Sequence, residues 1–105
     1  MNEQYLIDKI DEIISEIRKE YTKHKEQYLL THTEHKEQYL LTHIINLEFL
    51  MGKYFALMEI LLEDNKENPL KPFISTYFIE YEKNRELIEA VTTHIDGMYK
   101  KLKEV

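Results

Sequence analysis

From Glu3 to Tyr21 the apolar positions are Leu6, Ile7, Ile10, Ile13, Ile14, Ile17 and Tyr21, recurring at steps of three and four. That spacing draws one stripe along a helix. A strand is excluded, because period-two alternation would divide the isoleucines between both faces. Asp8, Asp11, Glu12, Glu16 and Glu20 fall mostly outside the stripe, and acids early in a helix suit its dipole. The most apolar segment is Ile44 to Leu62, in which Glu48, Gly52 and Glu59, with Glu63 just beyond, share one narrow face. Near a bilayer centre Glu48, Lys53 and Glu59 would each cost about 2.5–3.5 kcal/mol. A central helix buried on several sides is therefore expected, and no membrane association. A small bundle covers only part of such a helix. The excess, notably Phe49, Met51, Phe55, Met58 and Leu62, predicts an interface with a second subunit.

The last helix carries the most regular pattern. Leu70, Ile74, Tyr77, Tyr81, Asn84, Ile88, Val91, Ile95, Met98 and Leu102 alternate steps of four and three, a seam of the coiled-coil kind. Asn84 is its polar break and a candidate for choosing one partner or register, since any other alignment would leave its amide unbonded. A partly exposed seam at that point is the other reading. Glu80, Glu82, Glu86 and Glu89 are expected to face outward. Gly97 either permits close helix approach or marks fraying. Asn68 before Pro69 reads as the start of this helix, after a loop beginning at Glu63.

Between these segments the chain repeats itself. Thr22–His32 reads TKHKEQYLLTH and Thr33–His43 reads TEHKEQYLLTH, differing only at Lys23/Glu34. In an unbroken helix, eleven extra residues move the downstream chain by about 16 Å along the axis and turn it by only about 20°. Two architectures fit. In one, a single helix of about 60 residues, some 90 Å long, pairs with one of about 33 in a dimeric bundle. In the other the chain turns near Thr31–Glu34, which matches the Thr-x-x-Glu capping box. Length favours the turn, because three helices of similar length can cover one another. The expected fold is all-α, a single antiparallel bundle of three long helices over about 3–30, 34–63 and 69–103.

Composition agrees with helices: two Gly, two Pro, and many Lys, Glu, Ile, Leu and Tyr. The absence of cysteine removes disulfides, thiolate metal sites and cysteine nucleophiles. A formal charge of −6 argues against non-specific nucleic-acid binding, which needs clustered cations. Met1-Asn2-Glu3-Gln4 lacks the start of a signal peptide, so a cytoplasmic location is expected. Abundant Lys, Ile, Asn and Tyr with few Ala and Arg is typical of small bacterial or phage proteins from low-GC mobile elements.

Little in the chain points to catalysis. His32 and His35 are three apart and, on one helix, would be able to share a metal ion. Four of the five histidines came with the repeated unit, however, so their number reflects copying, and solvated imidazoles are expected with no cofactor. Glu-x-x-His, H-E-x-x-H, Gly-rich phosphate loops and Ser/His/Asp orders are all missing. Arg18-x5-His24 resembles the Arg-x4–6-His motif of HEPN-type ribonucleases, which are small, helical and often dimeric. That resemblance implies Arg18 and His24 facing each other across a dimer and acting on a phosphodiester. No Tyr follows His24 where some members of that family have one, and ordinary helix-surface residues explain the pair. The eight tyrosines supply contact area with a polar tip, at an interface or the edge of a core. The expected function is therefore protein binding by a small homodimeric regulator, inhibitor or immunity-type factor. The HEPN-like nuclease and a purely structural helical element are the alternatives.

Overall fold

The computed structural model describes residues 2–30, 36–66 and 76–103, with side chains described for 2–23, 37–65 and 76–103. They form three helices: α1 (Glu3–Leu30), α2 (Lys36–Lys66) and α3 (Thr76–Lys103). The all-α, three-helix expectation holds. A longest dimension of 56 Å leaves no room for the 90 Å rod. The capping box at Thr31–Glu34, the helix start at Asn68-Pro69 and the seam positions Leu70 and Ile74 lie outside the described residues. None of the helices is long and apolar enough to cross a membrane, among the described residues.

Local chemistry fixes two helix starts. Asn2 caps α1: its Oδ1 accepts from Gln4 N at 2.8 Å, and its carbonyl accepts from Leu6 N at 3.2 Å. At α3 the cap comes from another helix, since Tyr77 N donates to Asn65 Oδ1 of α2 at 3.0 Å. Thr76 Oγ1 also donates to Glu3 Oε1 at 2.7 Å, tying the starts of α1 and α3 together. Lys100, Lys101 and Lys103 occupy the last turn of α3, where the dipole favours cations.

The contacts set the helix directions. Glu20 meets His43 and Asn46, while Tyr5 and Ile13 share a hollow with Leu57 and Ile60, so α2 runs back along α1. Asp11 meets Lys83, Tyr21 meets His94, and Glu3 meets Thr76, so α3 runs alongside α1 in the same sense.

The core is formed by Leu6, Ile10, Ile14 and Ile17 of α1, and Val91, Ile95 and Met98 of α3, around a continuous row on α2. That row is Leu40, Ile44, Leu47, Met51, Tyr54, Met58 and Leu61, continued by Asn65, all buried and alternating steps of four and three. It is a second seam, and it faces both neighbours at once. On α3 the sequence seam holds from Asn84 onward but slips by one residue before it: Tyr81 is exposed and Glu80 is buried. Glu80 turns inward because Asn84 and Lys83 supply polar partners for it there. Gly97 does not mediate close packing, since a Cβ there would meet open space.

The repeat straddles the hairpin between α1 and α2. The 16 Å displacement expected of an unbroken helix therefore does not arise: each arm takes about half the extra length, roughly 8 Å. Among the described side chains, contacts of α1 with its neighbours end at Tyr21 and those of α2 begin at Tyr39. Deleting Thr33–His43 would put Leu29 and His32 where Leu40 and His43 stand, directly before Ile44, and leave Thr22–Gln27 as an ordinary helix connection. The shortened chain is expected to unfold cooperatively within about 5 °C of the parent in a thermal melt. Loss of cooperativity would show that the second copy carries structure that these contacts do not include.

Candidate interaction surface

A helix with one buried seam ordinarily shows polar residues on its other side. On α2 an apolar row is set among them. Opposite its core seam run Leu41, Ile45, Phe49, Gly52, Ala56 and Ile60, all exposed, with Phe49 at 63% and Ile45 at 62%, and the exposed Glu48, Glu59 and Glu63 share that outer side. Full burial of a Phe or Ile side chain stabilises by about 1.5–3 kcal/mol, so this is a continuous strip of unrealised burial. Lys53 stands beside it with its ammonium 4.5 Å over the Phe49 ring. On the other flank Glu48 accepts a 2.6 Å hydrogen bond from the Tyr99 hydroxyl of α3. Toward α1 the strip opens into a shallow hollow of about 400 Å³, lined by Tyr5, Lys9 and Ile13 with Lys53, Ala56, Leu57 and Ile60. A smaller hollow of about 100 Å³ lies toward α3, between Phe55 and Tyr81.

The residues expected at an interface divide accordingly. Phe49 and Phe55 are exposed and Leu62 is partly so, but Met51 and Met58 belong to the buried seam. Those two are core residues, because the inward face of α2 is the row that meets both α1 and α3. Asn84 is buried, so the partly exposed reading of that position fails. Its Nδ2 donates to the Glu80 carbonyl at 3.0 Å and to Glu80 Oε2 at 3.5 Å. It is satisfied within its own helix.

Glu80 is the buried centre of one polar group, whose members Asp11 and Lys83 reach solvent. Burial first, then the charge of Asp11, pushes its carboxyl above the usual carboxylate range, with Lys83 pulling the other way. Lys83 bridges the two acids, 3.2 Å from Asp11 and 3.7 Å from Glu80. The hydrogen bond it donates to Asp11 Oδ1 is the main reason that the Lys83 ammonium is held above its ordinary value. Lys83 thus ties Asp11 of α1 to Glu80 of α3.

The second polar group sits nearer the α1–α2 hairpin. His43 is almost wholly buried; its Nδ1 lies 3.2 Å from Glu20 Oε1 and its Nε2 3.3 Å from His94 Nε2. A carboxylate accepts only, which requires hydrogen on His43 Nδ1 and a donated Nε2–H from His94. Burial first, then His94, pushes the His43 imidazole down to about 3. The contact with Glu20 is therefore a hydrogen bond from a neutral ring. Asn46 adds a bond to the same Glu20 oxygen at 3.2 Å, and Tyr21 packs edge-on against His94 at 5.1 Å. This Glu–His–His chain joins all three helices. His43 and His94 stand 51 residues apart, and no local signal in the sequence pairs them.

Arg18 lies exposed on α1, whereas the side chain of His24, and His32 and His35 entirely, lie outside the described residues. Among the described residues no group of three or more His, Asp or Glu is placed to hold a metal ion. Comparisons with protein families, with curated proteins and with solved structures find no match for this chain.

Proposed function

We propose that this chain is a non-catalytic helical module that acts by binding protein, in the manner of a small regulator or inhibitor, with the outer face of α2 as its contact surface. One observation carries the reading: α2 has two apolar faces, and the fold uses one. The strip from Leu41 to Ile60 is contiguous, lies on a rigid helix packed from behind by both neighbours, and presents an aromatic side chain at its centre. Aromatic anchors on such a support are what protein interfaces concentrate. The titratable groups best placed for proton chemistry, by contrast, are used in holding helices together, with His43 sealed from any substrate.

Photo-crosslinking tests this directly. A photoreactive side chain at position 49 is expected to join the chain to a protein identifiable from the attached peptide, while one at the exposed Glu16 of α1 joins nothing. Equal labelling from both positions, or none from 49, would remove the surface from consideration.

A further inference from the structure

We infer that the occupant of this surface is a second copy of the chain, lying antiparallel across it about a two-fold axis that passes beside Gly52 and Lys53. The inference rests on the binding-module reading and names its partner. It is carried by the order of residues about that midpoint. At equal distances on either side stand Ile45 and Ile60, Phe49 and Ala56, and Gly52 and Lys53. In an antiparallel pairing, equidistant residues become neighbours across the interface. Phe49 of each copy then faces Ala56 of the other, large against small, about 5 Å along the helix from the axis. Ala56 is also part of the 400 Å³ hollow bounded by Tyr5 and Ile13, so the ring enters a space that is already open. At the centre Gly52 has no neighbour within 4 Å of where a Cβ would stand, and two helices can approach closely there. A parallel pairing would instead set Phe49 on Phe49 and Gly52 on Gly52, crowding one level and leaving the next empty.

Size fits the same partner, and the charge it must overcome lies at the rim. The outer face of α2 with the adjoining edge of α1 offers a strip about 30 Å long and about 20 Å wide, on the scale of the roughly 800 Å² that each side of a standard interface contributes. Glu48 of one copy and Glu59 of the other come to lie along the same rim, and each copy carries a formal charge of −6. Added salt is therefore expected to tighten the association by screening like charges.

The full chain in solution provides the test. Light scattering is expected to give twice the 12.8 kDa chain mass, rising in population with salt, and Phe49→Glu is expected to weaken association at least tenfold with unchanged helical circular dichroism. Because the chain has no cysteine, single cysteines report the register. Gly52→Cys should link to its counterpart under mild oxidation. Ile45→Cys should not link to itself, since the two would stand about 22 Å apart along the axis, but should link to Ile60→Cys in a mixture. Efficient self-linking of Ile45→Cys would overturn the antiparallel arrangement. A chain that stays at 12.8 kDa at every concentration would overturn the second copy as partner. If the position-49 crosslinker still captures a different, identified protein, the module reading survives that loss; if it captures none, both fall.

Discussion

Between pH 6.5 and pH 4.5 the chain is expected to lose roughly 2 kcal/mol of folding stability through His43 alone. The buried ring takes up a proton only near pH 3, against 6.5 for a free histidine. Over that interval the unfolded chain gains a proton that the folded chain refuses. The stability is thus whole above pH 6.5 and falls by about 1.4 kcal/mol per unit below it, until the folded form also protonates. His43 faces Glu20 of α1, His94 of α3 and Tyr39 of its own helix. Of these, only the Glu20 carboxylate, 3.2 Å away, favours the imidazolium, and burial with His94 outweighs it. Glu80 has the opposite sign: its raised carboxyl stabilises the fold at low pH and loses that contribution as pH rises through its folded value. A variant must therefore isolate the histidine. His43→Asn keeps a donor and an acceptor but does not titrate. Urea unfolding at fixed protein concentration and several pH values should show the parent losing ground to the variant at about 1.4 kcal/mol per unit between pH 6 and 4. Parallel curves would mean that His43 is accessible to protons in the folded chain.

The pH response is not visible in the sequence, because periodicity reports which face of a helix is apolar and not which polar groups meet inside. Helical spacing identifies the helical segments, with length choosing three helices over two, and it finds the right stripe on α1, because Leu6, Ile10, Ile14 and Ile17 have charged residues on the opposite side to define it. It succeeds on α3 from Asn84 to Leu102 for the same reason. At Glu80 it fails: the spacing assigns this carboxylate to water, whereas burial there is made possible by Asp11, Lys83 and Asn84, two of which lie within four residues and one on another helix. On α2 the pattern is ambiguous from the outset. A helix that is apolar nearly all round carries two seams, and spacing alone cannot say which one faces inward. Taking Phe49, Met51, Phe55, Met58 and Leu62 as the excess mixes the two. The clue lies in residue size: Gly52 and Ala56 interrupt the outer row, while the inner row is large throughout from Leu40 to Leu61. Small residues in the outer row mark where another helix can come close, and large ones in the inner row fill a core. The His43–His94 pairing has no comparable clue, since it depends on how the three helices register with one another.

Ile44 and Ile45 offer the sharpest test of that division, being the same side chain in consecutive positions. Ile44 is 2% exposed and Ile45 is 62% exposed. Ile44→Ala removes buried methyl groups from a packed interior and leaves a cavity, and is expected to cost about 3 kcal/mol at any protein concentration. Ile45→Ala removes the same atoms from an open face, so in dilute solution its effect on unfolding should stay within about 0.5 kcal/mol. At higher concentration the two variants should diverge in kind. An associated state that binds the folded chain adds stability by mass action, and truncating Ile45 takes part of that addition away. The cost of Ile45→Ala should therefore grow with concentration, while that of Ile44→Ala stays constant. Denaturant unfolding of both variants over a wide concentration range measures this directly. Equal costs at low concentration would mean that Ile45 is covered within a single chain, and the two-faced description of α2 would fall with it. A concentration-independent Ile45→Ala would leave the fold intact and remove the second copy from its outer face.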